Sequence, residues 1–276
     1  MGKIEIGDFM PRLIRRLLLL SVVCAGGAFR QSVEGTFAQI AFGGSWQTTF
    51  TLVNMDATNL ANVTLNFFQD GATPGPLTVP VQGFGNTASF AFTILPSNST
   101  NVVLSSTNPI VTQGWASMTV GAGTTVRGQG SFRFLLPGGQ ISEAVVPLNS
   151  TPTFCILFCA PTSNILIPFD NTNGVYITSI ALANTMSTNQ NVTIEFDDQS
   201  NIKLASDTLN LTPMQHKAFR TIDLYPQTVN KKGVIRISDT TDNGVPINLP
   251  TPAPVIALGL LSNATNAVTT IMPITQ

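Results

Sequence analysis

Large apolar residues alternate with Thr, Asn, Ser and Gln in short stretches along most of this chain. Residues 46–53 read WQTTFTLV, residues 63–67 VTLNF, residues 88–94 ASFAFTI and residues 111–118 VTQGWASM. A period of two puts alternate side chains on opposite faces of a strand, one against a core and one in water. Residues 127–134 alternate in part, and residues 143–148 (EAVVPL) close the first half as an apolar strand. Residues 175–183, 192–196, 203–211, 217–222, 233–237, 255–261 and 268–273 carry the same signal in the second half. Turn clusters separate these runs: Asn54-Met55-Asp56, Gln69-Asp70-Gly71, Pro96-Ser97-Asn98, Asn108-Pro109, Pro137-Gly138-Gly139 and the tight-turn pair Asn173-Gly174. After the first thirty residues, no window of about 12 holds the i, i+3, i+4, i+7 apolar pattern of a helix. About seven short strands in each half, with turns every ~8–12 residues, predict an all-β protein of antiparallel sandwiches.

The halves echo one another. Asn62-Val63-Thr64-Leu65-Asn66-Phe67 matches Asn191-Val192-Thr193-Ile194-Glu195-Phe196, a shift of 129. Residues 42–54 (FGGSWQTTFTLVN) echo residues 169–184 (FDNTNGVYITSIALAN). The same shift lays Ala88-Ser89-Phe90 on Lys217-Ala218-Phe219, and Val145-Val146-Pro147-Leu148 resembles Ile271-Met272-Pro273-Ile274. That period exceeds any solenoid unit and is the size of a domain. The expected organisation is two tandem antiparallel β-sandwich domains, immunoglobulin-like and related by duplication. The boundaries read as a signal peptide at 1–28, a first domain at 36–148, a linker at 149–164 and a second domain at 165–276.

Composition narrows the setting. Charged residues are 10% of the 276 and hydrophobic residues 43%, so neutral polar groups must solvate the surface. Sparse Lys and Arg argue against nucleic acid, whose phosphates need clustered cations. Arg12, Arg15 and Arg16 precede the apolar run Leu17 to Val23, followed by Ala25-Gly26-Gly27-Ala28. This is the plan of an export signal, with cleavage expected after Ala28 and the start at Met1 or Met10. The run is too short for a comfortable membrane span of about 20 residues. Without residues 1–28 the chain keeps 9 Lys and Arg against 12 Asp and Glu. Cys24 leaves with the signal. Cys155 and Cys159 remain, and export makes a disulfide between them the expected state if a turn brings them together. The expected place is secreted or cell-surface, or the periplasm.

The strings at 42–50 with Leu52-Val53-Asn54, at 143–148, and at 168–174 with Ala181-Leu182-Ala183-Asn184 resemble a group of secreted bacterial proteins. These carry one or two β-sandwich units and have no assigned activity. The resemblance implies export and an immunoglobulin-like or similar sandwich, and it transfers no functional residue.

Candidate chemistry is thin. Beyond the signal the glutamates are Glu34, Glu143 and Glu195. Glu143 and Glu195 occupy non-equivalent places in separate halves, a poor basis for the paired carboxylates of a glycosidase. His216 is the lone histidine and reads as a turn residue ahead of a strand, with Thr87 as its repeat partner. Residues 170–174 (DNTNG) resemble a calcium loop, but Gly174 and Ala181 fall where the ligand spacing does not allow them. Asp197-Asp198 is a weaker loop candidate. Trp46 and Trp115 are the two tryptophans. Each reads first as core, and otherwise as a platform on which a sugar ring stacks. No catalytic residue, cofactor or metal site is expected. The expected role is a non-enzymatic structural or interaction module of adhesion type, with an unknown protein or glycan at the cell exterior as partner. The alternative is an extracellular carbohydrate-binding protein.

Overall fold

The computed structural model describes residues 32–71, 73–136, 138–150, 164–239, 254–265 and 267–275. The expected signal peptide at 1–28 and the Cys155–Cys159 pair lie outside them. The described chain is nearly all β. The first half runs β1 (Ser32–Phe42), β2 (Trp46–Asn54), β3 (Ala61–Gln69), β4 (Val79–Val81), β5 (Gly85–Thr87) and β6 (Ser89–Ile94). It continues with β7 (Ser99–Ser105), β8 (Thr112–Val120), β9 (Val126–Leu135), β10 (Ile141–Pro147) and β11 (Asn149–Ser150). The second half has β12 (Asn164–Asp170), β13 (Tyr176–Asn184), β14 (Gln190–Asp198), β15 (Lys203–Leu211) and β16 (His216–Arg220). A single helical turn, α1 (Thr221–Leu224), follows, and then β17 (Lys232–Asp239), β18 (Val255–Asn263), β19 (Val268–Ile271) and β20 (Ile274–Thr275).

Each half makes two antiparallel sheets. The first half gives the order β11-β1-β8-β3-β6 and the order β10-β9-β2-β7-β4-β5. The second gives β20-β12-β17-β14-β15 and β19-β18-β13-β16. Strand for strand the orders correspond, except that the hairpin β4–β5 has no counterpart. This topology matches β6 with β15 and β7 with β16, so the match of Ala88-Ser89-Phe90 to Lys217-Ala218-Phe219 does not hold. His216 instead corresponds to Ser99, because Val53 faces Ser99 as Ala183 faces His216. Asn149 and Ser150, read as the start of the linker, pair with Thr36 and Gly35 of β1.

Alternation builds both cores. In β3 Ala61, Val63, Leu65 and Phe67 are buried while the residues between them are not. Phe37 of β1 meets Phe50 of β2 edge-on at 4.7 Å, joining the two sheets of the first lobe. In the second lobe Phe169 meets Phe196 edge-on at 5.6 Å. The β13–β18 region departs from the pattern. Ile180 and Leu182 face the second lobe's own core, while Ala181, Ala183, Ile256 and Leu258 join the first lobe's core. The sheet holding β13 and β18 is therefore covered on both faces, with β1 packed against β13 and β18. Strands buried on both sides read as continuous apolar runs, as Val255-Ile256-Ala257-Leu258 does.

A candidate ligand cavity at the seam between lobes

Two clusters of contacts fasten the lobes. At one, His216 is fully buried and its Nδ1 lies 2.8 Å from Oδ1 of Asp70. The Gly71 amide donates to the His216 carbonyl, and Nε1 of Trp115 donates to the Met214 carbonyl at 3.0 Å. At the other, Thr270 donates to the Val145 carbonyl, and the Ser142 hydroxyl accepts from the Val268 amide at 2.7 Å. Between lobes whose surfaces do not match everywhere, a cavity of about 500 Å³ remains. That lies within the ~300–1,000 Å³ usual for small-ligand sites.

The first lobe supplies the aromatic wall. Gly43, Gly44 and Ser45 all take positive φ in the corner between β1 and β2, and Trp46 leaves that corner directly opposite Phe134. The two rings stack at 4.6 Å, and Phe132 meets the indole edge-on at 6.2 Å. Beside them an irregularity in β1 between Phe37 and Ile40 accompanies the inward placement of Gln39, which is 5% exposed. Its Nε2 donates to Oε1 of Gln113 at 2.8 Å, and its own Oε1 is buried without a partner.

The second lobe supplies a polar row. Ser179 of β13 faces Arg220 of β16 on one side and Leu260 of β18 on the other, and all three line the cavity. The Arg220 Nε lies 3.6 Å from Asp223, outside hydrogen-bond range, and its side chain is half exposed. Among the described lining residues Arg220 is the single ionisable one.

The other sequence candidates lie elsewhere. Trp115 is 1% exposed and stacks on Phe68 at 4.3 Å, so it is a seam residue and offers no open face to a sugar. Glu143 pairs with Arg133 at 3.3 Å and Glu195 with Lys203 at 2.6 Å, in separate lobes. Asp170 accepts from the Thr172 amide and hydroxyl and lies 3.4 Å from Lys232. Partial burial works against its charge, yet these partners hold its carboxyl below the usual range. Asn171 is buried and bonded to Thr221 and Thr228. The loop's side chains thus bond to its own backbone and to neighbouring threonines. Asp197 pairs with Arg236 at 2.8 Å, and Asp198 accepts from the Ser200 and Ile202 amides. Of the sequence candidates Trp46 lines the cavity, together with Gln39, Gln113, Ser179 and Arg220, which the sequence did not single out. Their convergence depends on how the lobes dock, and no local pattern carries that.

The fold and cavity together define an all-β, paired-sandwich protein with a seam pocket. No family model matches the chain, and no curated protein matches it. Among solved structures, a protein of Parabacteroides distasonis inferred to be secreted aligns over 84% of this chain and 77% of its own, at 11% identity and a TM-score of 0.21. A likeness that slight carries over neither fold nor role.

Proposed function

We propose that this chain is an exported, non-enzymatic binding module, made of two duplicated immunoglobulin-like sandwiches that hold a ligand at their seam. The cavity carries this reading: it has ligand size, an aromatic wall, and a guanidinium as the one ionisable side chain among its described lining. General acid–base chemistry needs a group that gives and takes a proton near neutral pH, and an Arg guanidinium stays charged. The corresponding strand orders support the duplication. The export signal read in residues 12–28 supports a module working at the cell exterior, in adhesion or envelope architecture.

The test is thermal-shift screening of the purified mature chain against a library of extracellular small molecules and glycan fragments. Mass spectrometry then examines whatever is retained. A ligand that raises Tm, is recovered intact and loses its effect in Trp46→Ala supports the reading. Recovery of a cleaved product, or a shift indifferent to Trp46, overturns it.

A further inference from the structure

We infer that the seam cavity takes an acidic saccharide, with the sugar ring against the Trp46–Phe134 pair and its carboxylate on Arg220. This rests on the reading of the cavity as a binding site. Four polar groups with no hydrogen-bond partner among the described residues line one space. They are the Arg220 guanidinium, 3.6 Å from its nearest acid; the Ser179 hydroxyl; the Gln113 Nε2, whose amide oxygen is already taken by Gln39; and the buried Gln39 Oε1. Of the four, Gln39 Oε1 is the buried one, and a buried polar group left unpaired calls for an explanation such as a ligand or ordered water. The other three are partly exposed and face the cavity beside it. Donors and acceptors of both kinds spread over two walls suit a polyhydroxylated molecule better than a hydrocarbon. The aromatic pair suits the apolar face of a pyranose ring, because Trp46 has one indole face on Phe134 and still lines the cavity.

Arg220 decides the charge. Its position opposite Ser179 in the sheet is fixed by the β13–β16 register. A guanidinium binds a carboxylate through two parallel hydrogen bonds, stronger than neutral ones. A carboxylate on the ring matches it where a neutral hydroxyl would not. Among the described lining residues none is acidic. The competing carboxylate is Asp223, an exposed i,i+3 ion-pair partner of Arg220 at 3.6 Å. An exposed pair of that kind contributes little, so a ligand carboxylate can displace it.

Titration calorimetry of the full mature chain with three probes separates the alternatives: a uronic-acid trisaccharide, the matching neutral trisaccharide, and benzoate. The expected result is uronate binding that quenches indole fluorescence, falls at least about tenfold in Arg220→Gln, and weakens with added salt. Arg220→Lys retains part of it. Trp46→Ala removes most of it, and where that variant unfolds early Trp46→Phe replaces it. Equal affinity for the neutral trisaccharide overturns the acidic assignment. Tighter binding of benzoate than of uronate overturns the saccharide. No binding by any probe, or uronate binding untouched by both Trp46 and Arg220 variants, overturns the inference as a whole. The broader reading fails separately, when the library screen yields no ligand sensitive to Trp46.

Discussion

Buried polar side chains do the same work in both lobes. Thr48 donates to the Ala41 carbonyl at 2.7 Å and accepts from the Ala41 amide; Thr178 does both with Asp170. Asn54 donates to the carbonyls of Asn59, Ile94 and Leu95, and Asn184 to those of Thr188, Leu211 and Thr212. Each asparagine ties the turn after its own strand to the end of the sheet-edge strand opposite. Removing the amide orphans one buried carbonyl in each lobe, that of Ile94 or of Leu211, so Asn54→Ala and Asn184→Ala should each cost about 1–3 kcal/mol in urea unfolding. In sequence Asn54 is one more turn residue, and nothing local marks it as buried. Asp56 beside it shows ordinary turn chemistry. Its carboxylate accepts first from the Thr58 amide and then from that of Asn59, which lowers its pKa to about 2. A carboxyl lowered below its unfolded value of about 3.9 stabilises the fold above that pH and ceases to as pH falls through the folded value. Carboxyl NMR should show Asp56 titrating near 2, with the Thr58 and Asn59 amide signals moving in the same window and not near 4.

At the scale of elements, the clean alternations of β2, β3 and β6 were legible, and the strands that break the rule were not. β1 is buried along its described side chains from Gly35 to Phe42, so it has no polar face to alternate. β12 contains Pro168, which reads as a breaker. It is tolerated because β20 pairs only Ile165 and Leu166, leaving that side of Pro168 past the end of its neighbour. The second half of residues 217–222 turns into α1 because the strand ends at Arg220. Another device is a close approach of strands. A Cβ on Gly114 would strike the Phe68 carbonyl, and one on Gly233 the Asp197 carbonyl, at corresponding places in the two lobes. Gly114→Ala and Gly233→Ala should each destabilise by about 1–3 kcal/mol, read as a lowered midpoint in thermal or urea melts.

Across the whole molecule the lobes differ where they meet. The outer face of β2 and β9 carries Thr49, Thr51, Arg127 and Gln129 toward solvent. The corresponding face of β13 and β18 carries Ser179, Ala181, Ile256 and Leu258, with the last three buried against the first lobe. Alanines let the backbones approach; isoleucine and leucine supply the apolar area. Residues 164–276 produced alone should therefore self-associate in light scattering. The double variant Ile256→Arg, Leu258→Gln, which copies the first lobe's residues, should return them to a monomer. In the full chain, His216→Ala takes away the buried partner of Asp70. Calorimetry should then resolve two unfolding transitions where the parent shows one, since the seam couples the lobes.

Periodicity and composition alone determined that this protein is β-rich and sandwich-like, because strand faces are written two residues at a time in which side chains meet water. They could not say which outer face would be covered, that Trp115 would sit in the seam, or that Gln39, Ser179 and Arg220 would share one space with Trp46. Those facts belong to contacts between residues about a hundred or more positions apart, and only the docking of one lobe on the other brings such residues together.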